Sequence, residues 1–377
     1  MRSRRFAGRL TSVMQADYDV IIAGGGVIGA SIAWRLVRNR RRVLLLDAAQ
    51  FGSEASYAAA GMLSPGGEFD QPSPSLDFAV RSLAKYDDFV DALQADSGLR
   101  IEFRHAGAVQ IALNDPELES LSRRAASQRG LGIPSSLLTG DELRAVAPLV
   151  RSDAIGAIHY TAEAIVDPRS LMAALRAACL ARGVAIQEGC RVTAISADAT
   201  AVRVSLGDKS LPASFSVIAA GAWSGDINVT IHNQPHALPR SYPIKGHLLG
   251  YRLPAGSMAT TVRHDHIYIL QRSDGFTIAG SSTEDVGYNR TIDPQIVSDI
   301  AARAAALVPA LASLEPESVW IGFRPTSDGP APHIGRLQSS RLWLAYGHYR
   351  NGILLAPATC DQVCQEMGGA NRLSTAF

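Results

Sequence analysis

The stretch from Asp19 to Ala30 constrains the fold more than any other part of the chain. An apolar strand runs into Gly24-x-Gly26-x-x-Gly29, and a helical pattern continues from Val27 towards Asn39. A second apolar run, Val43 to Leu46, then ends in Asp47, which stands 21 positions after Gly26. That spacing fits the acid closing a dinucleotide-binding βαβ unit. Each part has a physical task. Gly24 allows the tight turn, Gly26 lets backbone approach a pyrophosphate, and Gly29 lets the helix pack close to the strand. The helix N-terminus presents N–H groups and partial positive charge to the anion. Asp47 accepts hydrogen bonds from ribose and repels a 2′-phosphate. The unit serves FAD and NAD alike, and a purely structural glycine turn is the plainer alternative.

At 377 residues the chain is long enough for about two domains with full cores. With 47% hydrophobic and 19% charged residues it is a compact globular chain rather than a disordered or fibrous one. A net charge of +1 gives no reason to expect a nucleic acid, and Arg40-Arg41-Arg42 reads as a solvated turn. No segment reaches the roughly 20 apolar residues of a membrane span. Val20 to Trp34 comes nearest, and its three consecutive glycines suit a strand, turn and helix better. Cys179, Cys190, Cys360 and Cys364 are too scattered for a disulfide framework. Cys360 and Cys364 stand one helical turn apart with no histidine pair to complete a metal site. Buried or partly buried thiols in a reducing cytoplasm are the expectation. His264 and His266 flank Asp265, but two histidines without further ligands make no metal centre, and none is assigned. Met1 to Ala16 is basic, carries no acid and lacks the apolar stretch that a twin-arginine signal at Arg4-Arg5 would need. It is expected to be a disordered tail, or to lie upstream of a true start at Met14.

Strands alternating with helices in the first third predict a doubly wound sheet. Gly107 to Leu113 reads as a strand, Pro116 to Gly130 as a polar helix, Leu171 to Arg182 as a helix after Asp167-Pro168, and Cys190 to Ile195 as a strand. From Pro243 to Phe323 strand-like runs dominate, at His247 to Tyr251, His266 to Leu270 and Phe276 to Gly280, with one helix from Pro294 to Leu311. Leu342 to Ala345 then returns to α/β, with a glycine-rich loop and a helix from Ile353. The expected fold class is α/β: a discontinuous, Rossmann-like dinucleotide-binding domain, for FAD on the motifs and the resemblance given below, with a second domain built on a mostly antiparallel sheet. The expected division is 17–97, 163–242 and 323–377 for the nucleotide domain and 98–162 and 243–322 for the substrate domain.

Four further motifs separate a flavin from a nicotinamide. Ser56 to Leu63 is a run of small residues that lets backbone N–H groups approach a ligand. Val217 to Ser224 is a strand ending in small residues at Gly221, which by itself reads as a turn after a core strand. Gly347 to Ile353 is a second glycine-rich loop opening a helix, whose positive end suits an electron-rich isoalloxazine edge. Pro357 lies near that helix's start, where a missing N–H costs little. Trp320 to Pro325 sets Arg324 among apolar residues, which is costly without an anionic partner. A surface arginine whose stem covers the core is the alternative.

In this order the motifs resemble the D-amino-acid-oxidase-type flavoproteins, and most closely the glycine oxidases of thiamine biosynthesis. The signatures are Ala58 to Leu63, Pro243 to Gly246, His266 to Ile269, Gly322 to Pro325 and Gly347 to Thr359, and the similarity runs from Tyr18 to about Met367. The resemblance implies non-covalent FAD, since no cysteine lies near Arg324. With Gly24, Gly26, Gly29 and Gly221 as its glycine frame, Val27, Ile28, Asp47, Ala48, Ser56, Ala60, Gly61 and Met62 would line FAD. Val192 would contact its adenosine part, and His348, Tyr349, Arg350, Asn351, Gly352, Ile353 and Leu354 would surround the flavin ring. Arg324, Arg350 and Tyr268 would hold a substrate. Asp47 stands where many relatives carry glutamate, and Ala55 and Tyr57 where small hydroxyl residues are frequent.

The implied activity is oxidative deamination of glycine or another small amine by hydride transfer to flavin, with O2 as acceptor and H2O2 as product. The imine would feed thiamine thiazole synthesis. A D-amino-acid or sarcosine oxidase or dehydrogenase of the same fold is the alternative, and a nicotinamide dehydrogenase or a non-catalytic binding module lies further off. No catalytic acid or base is assigned, because the cofactor carries the difficult step. A planar fork such as Arg324 grips a carboxylate by two charge-assisted bonds. A homotetramer in the cytoplasm is the expected assembly and place.

Overall fold

The computed structural model describes residues 17–69 and 72–374, so the segment from Met1 to Ala16 lies outside the described residues. Strand β1 (Tyr18–Ala23), helix α1 (Val27–Arg38) and strand β2 (Val43–Leu46) form the first unit, with β1 and β2 parallel. Both faces of these strands are buried. Val20, Ile22, Val43 and Leu45 pack with Trp34 of α1, while Ile21, Ala23, Leu44 and Leu46 enter a second core on the other side. This is why the apolar runs do not alternate with polar residues. The sheet reaches ten strands, with β1 flanked by β2 and by Lys209–Ile218, both parallel to it. Leu342–Tyr346 pairs in parallel with the end of Lys209–Ile218. Stretches far apart in sequence therefore meet at the carboxyl end of β1.

The second sheet has eight strands, running in space from Ser318–Ser327 through Ser241–Arg252, Phe276–Gly280, Ile267–Gln271 and Thr261–His264 to Ala108–Ala112, Gly156–Tyr160 and Ser135–Thr139. Thr261–His264 is parallel to Ala108–Ala112, and every other neighbouring pair in it is antiparallel. Its outer face packs on helix Pro294–Leu307 through Leu249, Tyr251, Ile269, Ile300 and Leu307. Ser241 to Gly250 pairs with the whole of Ser318–Ser327, and the two strands cross the expected divisions at 242/243 and 322/323. The chain changes sheets at the ends of these strands.

Three elements differ from the sequence reading. Helix Pro168–Ala181 starts before Leu171, because Asp167 caps the N–H groups of Arg169 and Ser170. The strand expected at Cys190 to Ile195 forms at Ala194–Ala197, and the Cys190 N–H donates instead to the Asp47 carbonyl at 2.7 Å. Pro357 lies inside helix Gly352–Ser374, in its second turn, where a proline costs roughly 3 kcal/mol and leaves an earlier carbonyl without its donor. Tyr86 donates to that Ile353 carbonyl at 2.5 Å, and Ser82 donates to the Leu354 carbonyl at 2.7 Å while accepting from Ala358 N–H at 3.2 Å. Two side chains from neighbouring helices thus supply the bonding that the ring removes.

Candidate active site

A cavity of about 860 Å³ lies between the carboxyl ends of β1 and β2 and the inner face of the second sheet. Its nucleotide side follows from the glycine turn. Gly24 has φ of +110°, and a Cβ there would lie 2.6 Å from the Ala219 carbonyl carbon, so only glycine fits. The next turn begins α1, whose first N–H, on Val27, donates to Ser56 Oγ at 2.9 Å. Ser56 therefore caps α1 from another segment and leaves its own hydroxyl hydrogen for an anion at the helix end. Asp47 accepts from Gly25 N–H at 2.7 Å through one oxygen and from Ala49 N–H at 2.8 Å through the other. Each oxygen keeps a second lone pair for a ribose hydroxyl. Burial, with help from Glu188 and Glu54, raises the Asp47 pKa against the pull of these two N–H groups. A dry cradle that takes a hydroxyl donor relieves that desolvation, so the donor set suits a dinucleotide ribose.

Gly24, Gly26, Val27, Ile28, Asp47, Ala48, Ser56, Ala60, Gly61, Met62, Val192 and Gly221 all line this cavity, as do His348, Tyr349, Arg350, Asn351, Gly352 and Ile353. Two expected ligand residues do not. Gly29 sits behind the turn, where any Cβ would collide with the Gly24 carbonyl, so its place is close packing. Leu354 is 1% exposed and belongs to the core. The loop from Gly347 leads into the N-terminus of Gly352–Ser374 at the cavity wall. His348 is buried there with Nε2 3.0 Å from Thr359 Oγ1. Burial, reinforced by His333, pushes its pKa down to about 3, so the ring is neutral.

The second sheet supplies the opposite wall. Cross-strand register places Gln110, Arg263, Tyr268, Gly280 and Leu248 side by side, and such partners point to one face. Gly280 has no side chain, so the Tyr268 hydroxyl has room there; a Cβ at Gly280 would be 2.9 Å from it. Burial raises the Tyr268 pKa, with Arg324 and a Ser281 hydrogen bond only partly opposing, so the phenol stays protonated and can donate. His266 lines the cavity too, but from the hairpin turn at Asp265 rather than from the strand with Tyr268.

Arg324 projects across Gly246 on the neighbouring strand. Its Nη1 donates to the Lys245 carbonyl at 3.2 Å and its Nη2 to Ser281 Oγ at 2.7 Å. Both partners are neutral, so the guanidinium retains its full charge towards the cavity. Arg350 differs: its Nε donates to Glu68 at 2.5 Å, and this carboxylate offsets the effect of burial on the guanidinium. Beneath the same strand, Lys245 is 3.0 Å from Glu284 and His247 Nδ1 is 2.7 Å from it. Because Asp293 N–H donates to His247 Nε2 at 3.0 Å, the ring proton is on Nδ1 and points to Glu284. Burial raises the Glu284 pKa, but hydrogen bonds from Ser282, Lys245 and His247 outweigh it and hold the carboxyl below its usual range. Sequence reasoning missed Ser281, Glu68 and Glu284. Their partners lie 43, 282 and 37 residues away, and no local pattern marks such pairings.

Among the described residues there is no group of acids, histidines and cysteines that could hold a metal, and no helix is long and apolar enough to cross a membrane. Cys179, Cys360 and Cys364 are buried, whereas Cys190 lines the nucleotide side of the cavity.

The chain matches the family described as FAD dependent oxidoreductase over residues 19–366. It is 30% identical to glycine oxidase of Bacillus licheniformis over 357 residues, covering 94% of each chain. It is 33% identical to the bifunctional protein ThiO/ThiG of Synechocystis over 354 residues, which is 92% of this chain and 51% of that one. Among solved structures, glycine oxidase from Geobacillus kaustophilus superposes with a TM-score of 0.87 at 31% identity, covering 94% and 95% of the two chains.

Proposed function

The chain belongs to the FAD-dependent oxidoreductase family, and on that premise we propose that it oxidises the Cα–N bond of glycine or a comparably small amino acid. The observation that carries this reading is Arg324, a charged guanidinium with only neutral partners on the cavity wall, beside the protonated Tyr268. A fixed fork and a phenol donor match the two oxygens of one carboxylate. FAD, when bound along the glycine cradle, supplies the hydride acceptor. The chain's own task is then geometric. Arg324 and Tyr268 hold the carboxylate, which sets Cα and the amine at a fixed distance from the wall formed by His348 to Ile353. The buried, neutral His348 adds no charge there. The neutral amine loses two electrons and a proton from Cα as a hydride, becomes an iminium, and hydrolyses to the oxo acid and ammonia or is passed on as the imine.

Supporting the glycine reading are the sequence motifs from Ala58 to Leu63 and Gly347 to Thr359 and the glycine oxidases the chain resembles. In the same reading the imine serves thiamine thiazole synthesis, dioxygen takes the electrons to give hydrogen peroxide, FAD is held without a covalent bond and the chain assembles as a homotetramer. The test is an anaerobic absorption spectrum of the purified holoenzyme before and after glycine. Bleaching of the yellow flavin by glycine supports the assignment. Bleaching by sarcosine or D-alanine but not by glycine keeps the reaction class and overturns the thiamine role. Flavin that none of the three reduces overturns the proposal.

A further inference from the structure

Arg263, Arg324 and Arg350 line the cavity on the side of Tyr268, and they differ in charge balance. Arg324 bonds to a carbonyl and a hydroxyl, whereas Arg350 is paired with Glu68. Glu68 is no mobile surface acid. It ends the short helix Pro65–Glu68, and its side chain is only 14% exposed. The backbone beneath it is fixed at several points. Gly67 N–H donates to the buried Glu163 at 2.9 Å, and the Gly66 carbonyl accepts from Arg124 and Gln128, each at 2.9 Å. Arg263 packs directly on Gly67 and is itself compensated by Glu163 at 2.8 Å. Tyr268, Arg324, Arg350 and Glu68 all line this one cavity.

We propose that Glu68 is a specificity-determining residue: by neutralising Arg350 it leaves Arg324 as the cation available to substrate, and it restricts the site to amino acids with a single carboxylate. This rests on the functional reading above and names its substrate class. A second carboxylate near Arg350 meets an already compensated guanidinium and the negative charge of Glu68. Like charge in a partly dry cavity is costly, so discrimination arises from repulsion as much as from attraction. Removing the Glu68 charge without changing its shape uncovers Arg350 as a second carboxylate site.

The experiment uses the holoenzyme, Glu68→Gln and the double variant Glu68→Gln/Arg350→Met. Acetate and malonate serve as unreactive mono- and dicarboxylate probes, titrated by the flavin absorption change. D-alanine and D-aspartate serve as the matching substrates. In the unmodified enzyme malonate should bind no tighter than acetate. In Glu68→Gln the affinity ratio of malonate to acetate should rise at least tenfold, about 1.4 kcal/mol. The gain for D-aspartate over D-alanine should appear in KM rather than kcat, and both gains should vanish in the double variant. An unchanged ratio in Glu68→Gln, a gain that persists without Arg350, or tight malonate binding by the unmodified enzyme overturns the proposal. Failure of the functional reading shows separately, as flavin that glycine, sarcosine and D-alanine leave oxidised while the acetate titration still responds.

Discussion

The Arg324 guanidinium occupies the space that a side chain at Gly246 would fill: a Cβ built there would lie 2.7 Å from Arg324 Cζ. The two residues stand on adjacent strands, where Gly246 pairs with Gly322 and Arg324 follows two positions on, along the same face. A missing side chain on one strand is therefore what lets the arginine on the next lie flat over the sheet.

Gly246→Ala tests this directly. The colliding atoms are the far end of a flexible side chain, so the fold should lose no more than about 1 kcal/mol. The guanidinium, however, must move off its place and break its bonds to Lys245 and Ser281. The expected result is a KM for glycine raised tenfold or more with flavin content unchanged, read by steady-state kinetics and the flavin-to-protein absorbance ratio. An unaltered KM would separate the Gly246 cradle from substrate binding.

Arg324→Lys keeps the charge and discards the fork. An ammonium is a point donor, and it cannot reproduce two parallel bonds to a carboxylate. We expect kcat/KM for glycine to fall by about a hundredfold, comparable to the loss of a good charge-assisted bond of roughly 1.5–3 kcal/mol. Rapid anaerobic mixing with glycine should show slower flavin reduction at every concentration. A variant that reduces its flavin as fast as the parent at low glycine would remove Arg324 from the site.

Much of this arrangement was legible beforehand because it is local. Gly24, Gly26, Gly29 and Asp47 declare their unit by spacing, since a tight turn, a close packing and a strand-end acid recur at fixed separations. The antiparallel character of the second sheet was visible in short strand runs between Pro243 and Phe323. What escaped is non-local. The Glu68–Arg350 pair and the Tyr86 bond that covers the gap left by Pro357 depend on segments that meet only after folding. Cys190 to Thr193 reads as strand by residue type, yet the Cys190 N–H is drawn to the Asp47 carbonyl at the cavity edge, and the strand itself runs only from Ala194 to Ala197.

Asp47 offers a test of the cofactor cradle that needs no turnover. Its carboxylate accepts two backbone N–H groups, and Asp47→Asn replaces one acceptor oxygen by a donor facing an N–H. Charge-assisted bonds of this kind contribute about 1.5–3 kcal/mol each. The variant should be purified with less than half the flavin of the parent, and its dissociation constant for FAD should rise at least tenfold. Full flavin occupancy would show that Asp47 supports the turn rather than the ribose.

His348 makes the protein acid-sensitive in a defined window. Its folded-state pKa, lowered to about 3 by burial and then by His333, lies below the ordinary value of 6.5. Above pH 6.5 the ring is neutral in both folded and unfolded chains, and no penalty arises. As pH falls below 6.5 the unfolded chain takes up a proton that the folded one refuses. Stability then drops by up to about 1.4 kcal/mol per pH unit until pH approaches 3. His348→Gln cannot titrate and retains an amide that reaches for Thr359. Urea unfolding at pH 7.5, 6.5 and 5.5 should show a steeper loss for the parent than for the variant, by about 1 kcal/mol between the two lower values. Equal slopes would mean that the folded protein takes up the His348 proton as readily as the unfolded chain, and the ring could then no longer be held neutral by burial below pH 6.5.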